Sequence, residues 1–160
     1  MAFVDEAGFA LTPPNRNAWS PAGQCHATTA VRGKRLNIIG ALLSSGGLFT
    51  AKLWCHTTAE LFAGFLGLLL EKANGPLTVI VDNASVHTAK AIRPLMALLK
   101  QRGLTLFFLP PYSPELNRIE ILWRKIKYEW MAFKTRDAPT LEADLDDIFG
   151  KFGKHYQFSF

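Results

Sequence analysis

The sequence predicts an α/β domain built on one mixed central sheet with helices packed on both faces. Three observations lead there. Leu77-Thr-Val-Ile-Val-Asp82 and the run from Leu104 to Leu109 are almost continuously apolar, as strands buried on both faces are. Helical periodicity alternates with these runs, with Leu61, Phe62, Phe65, Leu66, Leu68 and Leu69 forming one broad apolar face. Ser44-Ser-Gly-Gly47 separates two further strand-like runs as a hairpin turn.

The elements follow in order. Met1 to Asp5 reads as the end of a short strand, and residues 8–24, with three prolines, as an irregular arm. Trp19 in this arm could stack on an extended ligand such as nucleic acid or plug the edge of the core, and the core edge is the expectation. Residues 35–43 and 48–54 are the two strands of the hairpin. A helix spans 58–72 and stops at Asn74-Gly-Pro76. The buried strand ending at Asp82 is followed by a helix over 88–102, closed by Gly103, and then by the strand 104–109. Pro110-Pro-Tyr-Ser-Pro114 turns the chain, with Ser113 as N-cap and Pro114 at the first position of a helix to about Met131. A last helix covers 140–149. Strands and helices in this order give a mixed sheet.

Composition narrows the class. The 160 residues are 49% hydrophobic with a mean hydropathy of +0.09, which fits one domain and argues against disorder. The longest apolar stretch, Leu61 to Leu70, is half of what a bilayer span needs, roughly 20 residues. Asp5 and Glu6 stand where a signal peptide carries basic residues. Two cysteines make no disulfide scaffold and favour a reduced, cytoplasmic setting. Cys25-His26 and Cys55-His56 do not read as zinc sites, because neighbours on a strand point to opposite faces. A net charge of +5 permits an anionic partner such as nucleic acid without requiring one.

The carboxylates carry the chemistry. Asp5 and Asp82 each close a predicted strand, where open α/β sheets gather their ligands. Glu120 lies about 100° around its helix from Ile119, off the apolar stripe and able to look along the sheet edge. Three oxygen ligands suit Mg²⁺ or Mn²⁺. Singly, each acid has a plainer reading. Asp5 and Asp82-Asn83 also serve as turn chemistry, and Glu120 can pair with Arg124 four residues on.

An ordered series of motifs goes further. Asp5-Glu-Ala-Gly-Phe9, Trp19-Ser-Pro-Ala-Gly-Gln24 and Val81-Asp-Asn-Ala-Ser-Val-His87 come first. Leu109-Pro-Pro-Tyr-Ser-Pro-Glu-Leu-Asn-Arg-Ile-Glu120 and Leu122-Trp123 follow. Together they resemble the catalytic domain of DDE transposases of the mariner superfamily, most closely its insertion sequence 630 branch, over residues 3–127. The resemblance implies a ribonuclease-H-like fold, with Asp5, Asp82 and Glu120 as the catalytic and metal-holding acids. Residues 83–119 separate the last two, within the family's usual spacing. It further implies two divalent cations, Mg²⁺ with Mn²⁺ able to substitute, and no covalent protein–DNA intermediate. The implied activity is cleavage of double-stranded DNA at transposon ends, then attack of the freed 3′-hydroxyl on target DNA. Asn83, His87 and Asn117 match polar positions of the family pattern and would orient water or phosphate from behind the acids. Asn83 and His87 could equally cap the helix near Thr88.

Arg118, Arg124, Lys125 and Lys127 gather on the helix of Glu120, and Arg32, Lys34 and Arg35 near the hairpin. Both groups are candidate DNA contacts, since backbone neutralisation dominates DNA affinity; both could also be solvated faces. Asp144, Asp146 and Asp147 read as solvated residues of the last helix. Arg118 stands where the family often has proline, and only Met1 to Val4 precede the first acid, where relatives carry helix-turn-helix modules. The expectation is therefore a single catalytic domain, residues 1–160, without its DNA-recognition module. It would be a nucleoid-associated cytoplasmic protein, with a second copy or a full-length transposase as partner. Two competing readings are a non-catalytic remnant that binds DNA or full-length transposase, and a nuclease of the same fold that does not transpose.

Overall fold

The computed structural model describes residues 1–15, 19–24, 33, 35–111 and 113–157. Its strands are β1 (Ala2–Phe9), β2 (Leu36–Leu43), β3 (Leu48–Leu53), β4 (Leu77–Val81) and β5 (Leu104–Phe108), in the order β3-β2-β1-β4-β5. β1 to β3 form an antiparallel meander, and β4 and β5 continue the sheet parallel to β1. The helices are α1 (Ala59–Ala73), α2 (Ser85–Thr88), α3 (Arg93–Gln101), α4 (Arg118–Lys125) and α5 (Ala138–Gly150).

Strand alternation sorts the core into two layers. Ala2 and Val4 of β1, with Ile39 and Ala41 of β2, face α1 and α3 and pack on Phe62, Phe65, Leu66, Leu69 and Leu99. Phe3, Ala7 and Phe9, with Leu36, Ile38 and Leu42, face the other way, against Ile119, Leu122, Trp123, Leu141 and Leu145 of α4 and α5. Helices therefore cover both faces, as the sequence predicts. α1 starts at Thr58, whose hydroxyl accepts from the Leu61 amide, and ends at Asn74 in the left-handed conformation (φ 49°), a helix stop that asparagine tolerates.

Six expectations need correction. β1 does not end at Asp5 but runs on to Phe9, because Glu6 to Phe9 continue the ladder with β2 down to the pair Phe9 and Leu36. The helix expected over 88–102 is broken. α2 ends at Ala89, which is extended (φ −56°, ψ 135°), a short 3₁₀ turn follows, and α3 carries Pro94 in its first turn, the place a helix accepts proline. β5 is not buried on both faces. It is the sheet edge, and Phe107 and Phe108 are exposed. The segment 114–131 divides into a 3₁₀ turn, α4 and a π turn over Ile126–Trp130. Ser113 makes no capping bond there, since its hydroxyl donates to the Pro111 carbonyl instead. Trp19 is fully exposed rather than packed at the core edge.

Asp146 and Asp147 of α5 are exposed, as expected, and Asp144 is half-buried; all three are also paired. Asp146 pairs with Lys52 of β3 at 2.8 Å, Asp147 with Lys151, and Asp144 with the buried Arg136 at 2.6 Å. Arg136 also donates to the carbonyls of Ala132 and Lys134. α5 is thereby tied to the sheet edge and to the turn that follows α4.

Candidate functional site

The parallel register brings the first two acids together. Phe3 pairs with Ile80, and β4 ends one residue later at Val81. Counting two residues on along each strand reaches Asp5 and Asp82. Asp5 is thus held inside the β1–β2 ladder opposite Gly40, while Asp82 sits just past the carboxyl end of β4. Alternation points Asp5 to the same face as Phe3 and Ala7, the face that α4 covers.

The third acid arrives with α4. This helix lies close on the sheet because Gly40 leaves room: a Cβ there would meet the Trp123 ring at 2.5 Å and Ile119 at 3.1 Å. Glu120 in the first turn of α4 is exposed, at the rim above Asp5. Asp82, Asn83, Asn117 and Glu120 line one cleft of about 350 Å³ at the carboxyl edge of β4.

Electrostatics bind the three acids into one unit. Burial first, then the charge of Glu120, push the Asp5 carboxyl up to about 8, with Glu6 and Asp82 adding to the rise and a backbone hydrogen bond at Glu6 opposing it. Glu120 is also raised, first by burial and then by Asp82, against the relief that Lys127 and Arg124 provide. Burial lowers Lys127, as does the nearby Arg35, while Glu120 and Asp5 pull it back up. Lys127 thus faces the acids from the far side, with its ammonium 5.2 Å from the Phe9 ring centroid.

Behind the acids lies a polar layer. His87 is buried, with its Nδ1 2.8 Å from Asp82 Oδ1 and its Nε2 3.0 Å from Glu6 Oε1. Its ring packs on Phe62 of α1, the centroids 4.2 Å apart. Burial works to lower this imidazole, but the hydrogen bond and charge of Glu6, then the Asp82 contacts, outweigh it and raise its pKa. Asp82 Oδ1 also accepts from the Ala84 amide at 3.0 Å. Asn117 is buried and donates from Nδ2 to the Val4 carbonyl at 3.1 Å, while its Oδ1 has no hydrogen-bond partner. Asn83 donates to the Leu109 carbonyl. Neither Asn83 nor His87 caps α2, which has no side-chain cap.

The remaining predicted residues are dispersed. Arg118 lies over the Phe3 ring, 5.5 Å from its centroid, and Arg124 stands exposed on α4 near Glu120. Lys125 pairs with Glu129 at 3.1 Å. Arg35 crosses the backbone of Gly8 and lines a second cavity of about 250 Å³ with Phe9, Lys127 and Arg136. Arg32 and Lys34 lie outside the described residues, as do Cys25, His26 and Tyr112. Sequence reasoning missed Glu6. The available signal was its position beside Asp5 on a strand, which sends the two carboxylates to opposite faces.

The donor set fits a hard divalent cation. The Asp5 and Glu120 carboxyls are raised by burial and by neighbouring carboxylates, and Asp82 and Glu120 line a cleft together with Asn117, whose Oδ1 is unpartnered. Oxygen ligands of this kind suit Mg²⁺ or Mn²⁺. They do not yet converge: among the described residues, no group of three or more His, Cys, Asp or Glu is arranged to hold a metal ion.

The mixed five-stranded sheet with helices on both faces defines the class of fold, the ribonuclease-H-like fold shared with transposase and integrase catalytic cores. The chain belongs to the DDE superfamily endonuclease family, which it matches over residues 1–142. Its structure is similar to "Mos1 transposase paired-end complex with left transposon end" (TM-score 0.71, 19% identity, 97% of this chain and 49% of that one). It is also similar to the mariner Mos1 paired-end complex with Mg (0.72, 20%, 97% and 49%). The catalytic core domain of BIV integrase is a third likeness (0.54, 23%, 78% and 79%). The chain spans about half the length of the Mos1 transposase chains it matches. At these identities the likeness shows the fold. No curated protein sequence matches it. Among the described residues, no helix is long and apolar enough to cross a membrane.

Proposed function

We propose that residues 1–160 are the catalytic domain of a DDE transposase of the insertion sequence 630 branch of the mariner superfamily. Its reaction would be cleavage of double-stranded DNA at transposon ends, followed by joining of the 3′-hydroxyl to target DNA. The observation that carries this reading is the gathering of three acids from separate elements at one sheet edge: the β1–β4 register sets Asp5 beside Asp82, Glu120 shares the cleft of Asp82, and the charges of Glu120 and Asp82 both raise the buried Asp5.

Asp5, Asp82 and Glu120 would hold two divalent cations, Mg²⁺ or Mn²⁺. Such ions supply activation of an attacking oxygen and charge relief at both ends of an in-line phosphoryl displacement. The chain's own residues do the rest. Asp5, fixed in the middle of a paired strand, gives the site a rigid floor. His87 holds the carboxylate of Asp82. Asn117, anchored on the Val4 carbonyl, lines the cleft with its buried amide oxygen unpartnered. Asn83 secures the loop after β4 to Leu109. Arg118, Arg124 and Lys125 of α4 and Lys127 of the π turn that follows supply positive charge for the DNA backbone, with Arg35 at the flank. The similar Mos1 structures include a paired-end complex with a transposon end, a strand transfer complex and paired-end complexes with Mg or Mn, which supports DNA and divalent cations as ligands here. A paired assembly, with a second copy or a full-length transposase, and a nucleoid-associated cytoplasmic location belong to the same reading.

One observation favours a second reading, a non-catalytic remnant that binds DNA or full-length transposase: the acids do not converge as they stand. An oligonucleotide assay separates the two. The chain is incubated with Mn²⁺, supercoiled target plasmid and a labelled duplex bearing a free 3′-hydroxyl. Joined product that disappears in Asp82→Ala supports the transposase. Cleavage without joining supports a nuclease that does not transpose. DNA retention without either product, by a folded chain, supports the remnant.

A further inference from the structure

We propose that Glu6 is a positioning residue of the cation site, acting on Asp82 through His87. The inference rests on the reading of Asp82 as a cation ligand.

Asp82 lies one residue beyond the last residue of β4, and its side chain is about half exposed. No ladder bond fixes it, so its direction is set by what its carboxylate meets. Those partners are the Ala84 amide and His87 Nδ1. His87 belongs to α2, a helix of four residues with extended backbone at Ala84 and Ala89 on either side and no side-chain cap. So short a helix cannot hold its own side chains in place. The His87 ring is instead held by its face on Phe62 and by its far nitrogen on Glu6, with Nε2 3.0 Å from Oε1 and 3.2 Å from Oε2. Glu6 is the fixed end of the chain of contacts. It pairs with Ile39 in the β1–β2 ladder, in the middle of the sheet. The other ring nitrogen of His87, Nδ1, hydrogen-bonds the Asp82 carbonyl at 3.1 Å and lies 2.8 Å from the Asp82 carboxylate. An imidazole anchored at both nitrogens has one orientation that satisfies both, whereas a ring with one partner can swing or flip. Adjacent residues of one strand thus serve the two faces of the site: Asp5 supplies a carboxylate to the α4 side, and Glu6 aims Asp82 from the α1 side.

The test is Mn²⁺ binding by the purified chain, measured by electron paramagnetic resonance, beside the ¹⁵N–¹H signals of the His87 ring. Glu6→Ala is expected to weaken Mn²⁺ binding roughly 10–100-fold, the usual effect of removing a ligand's supporting partner, and to erase the bonded Nε2–H signal. Glu6→Gln keeps an acceptor at the same reach. It is expected to restore most of the affinity and the Nε2–H signal, a rescue that loss of charge alone would not allow. If Glu6→Ala does not fold, Glu6→Asp keeps the charge but shortens the reach, and is expected to bind more weakly than the wild type. Wild-type Mn²⁺ affinity in Glu6→Ala or Glu6→Asp overturns the inference, as does Glu6→Gln binding no better than Glu6→Ala. A wild-type chain that binds no Mn²⁺ overturns the cation-site reading and this inference with it.

Discussion

Asp5 and Gly40 face each other across the β1–β2 ladder, and the indole of Trp123 fills the space that a Gly40 side chain would take. The closeness of α4 to the sheet, and so the distance from Glu120 to Asp5, depends on that missing side chain. Gly40→Ala is predicted to destabilise the fold by about 1–3 kcal/mol through overpacking and to lower metal-dependent cleavage more than stability alone explains. Trp123→Phe removes the ring atoms that clash. The double variant Gly40→Ala/Trp123→Phe is therefore predicted to be less destabilised than the two single effects added together, which urea denaturation of the four proteins checks.

The raised carboxyl of Asp5 makes a prediction about pH. Its pKa is about 8 in the folded chain against an ordinary 3.8, so the folded state holds this proton more tightly and its contribution is lost as pH rises from about 4 towards 8. His87 acts in the same sense. Its raised pKa gives stability that is complete below 6.5 and is lost as pH climbs through the higher folded value. The chain in chelator is predicted to melt at progressively lower temperature from about pH 5 to pH 8, and excess Mg²⁺ to flatten the decline. Calorimetry at several pH values measures both.

Asp5→Asn separates stability from activity. The amide keeps the shape of the side chain and removes the charge that burial disfavours. At pH 8 in chelator this variant is predicted to be more stable than the wild type, by roughly 1–3 kcal/mol, while Mn²⁺-dependent nicking falls at least about 100-fold. Denaturant titration and a plasmid assay on the same preparation check the pair.

The positive charges of α4 are not equivalent. Arg124 stands exposed beside Glu120, whereas Lys125 is engaged with Glu129. Arg124→Ala is predicted to reduce the salt slope of duplex DNA binding by about 1, and Lys125→Ala by clearly less. Fluorescence anisotropy across a salt series reads both slopes.

The sequence made the sheet legible through its apolar runs, and the three acids through their motifs. It misread where Asp5 lies. Four residues of lead-in suggest a strand end, but the pairing of Gly8 and Phe9 with β2 is a non-local fact that no local pattern carries. The same is true of β5, where Phe107 and Phe108 look buried by composition and are exposed because the sheet stops there. Glu6 was hidden by its neighbour. Its partner His87 lies 81 residues away, and only the parallel placement of β4 beside β1 joins them.

The most direct measurement is single-turnover nicking of supercoiled plasmid across a Mn²⁺ series, for the wild-type chain and for Asp82→Ala and Glu120→Gln. The account predicts nicking by the wild type that rises with Mn²⁺ and is lost in both variants, with circular dichroism unchanged. Nicking that persists in either variant, or a folded wild-type chain that binds Mn²⁺ and duplex DNA yet never cuts, would contradict it.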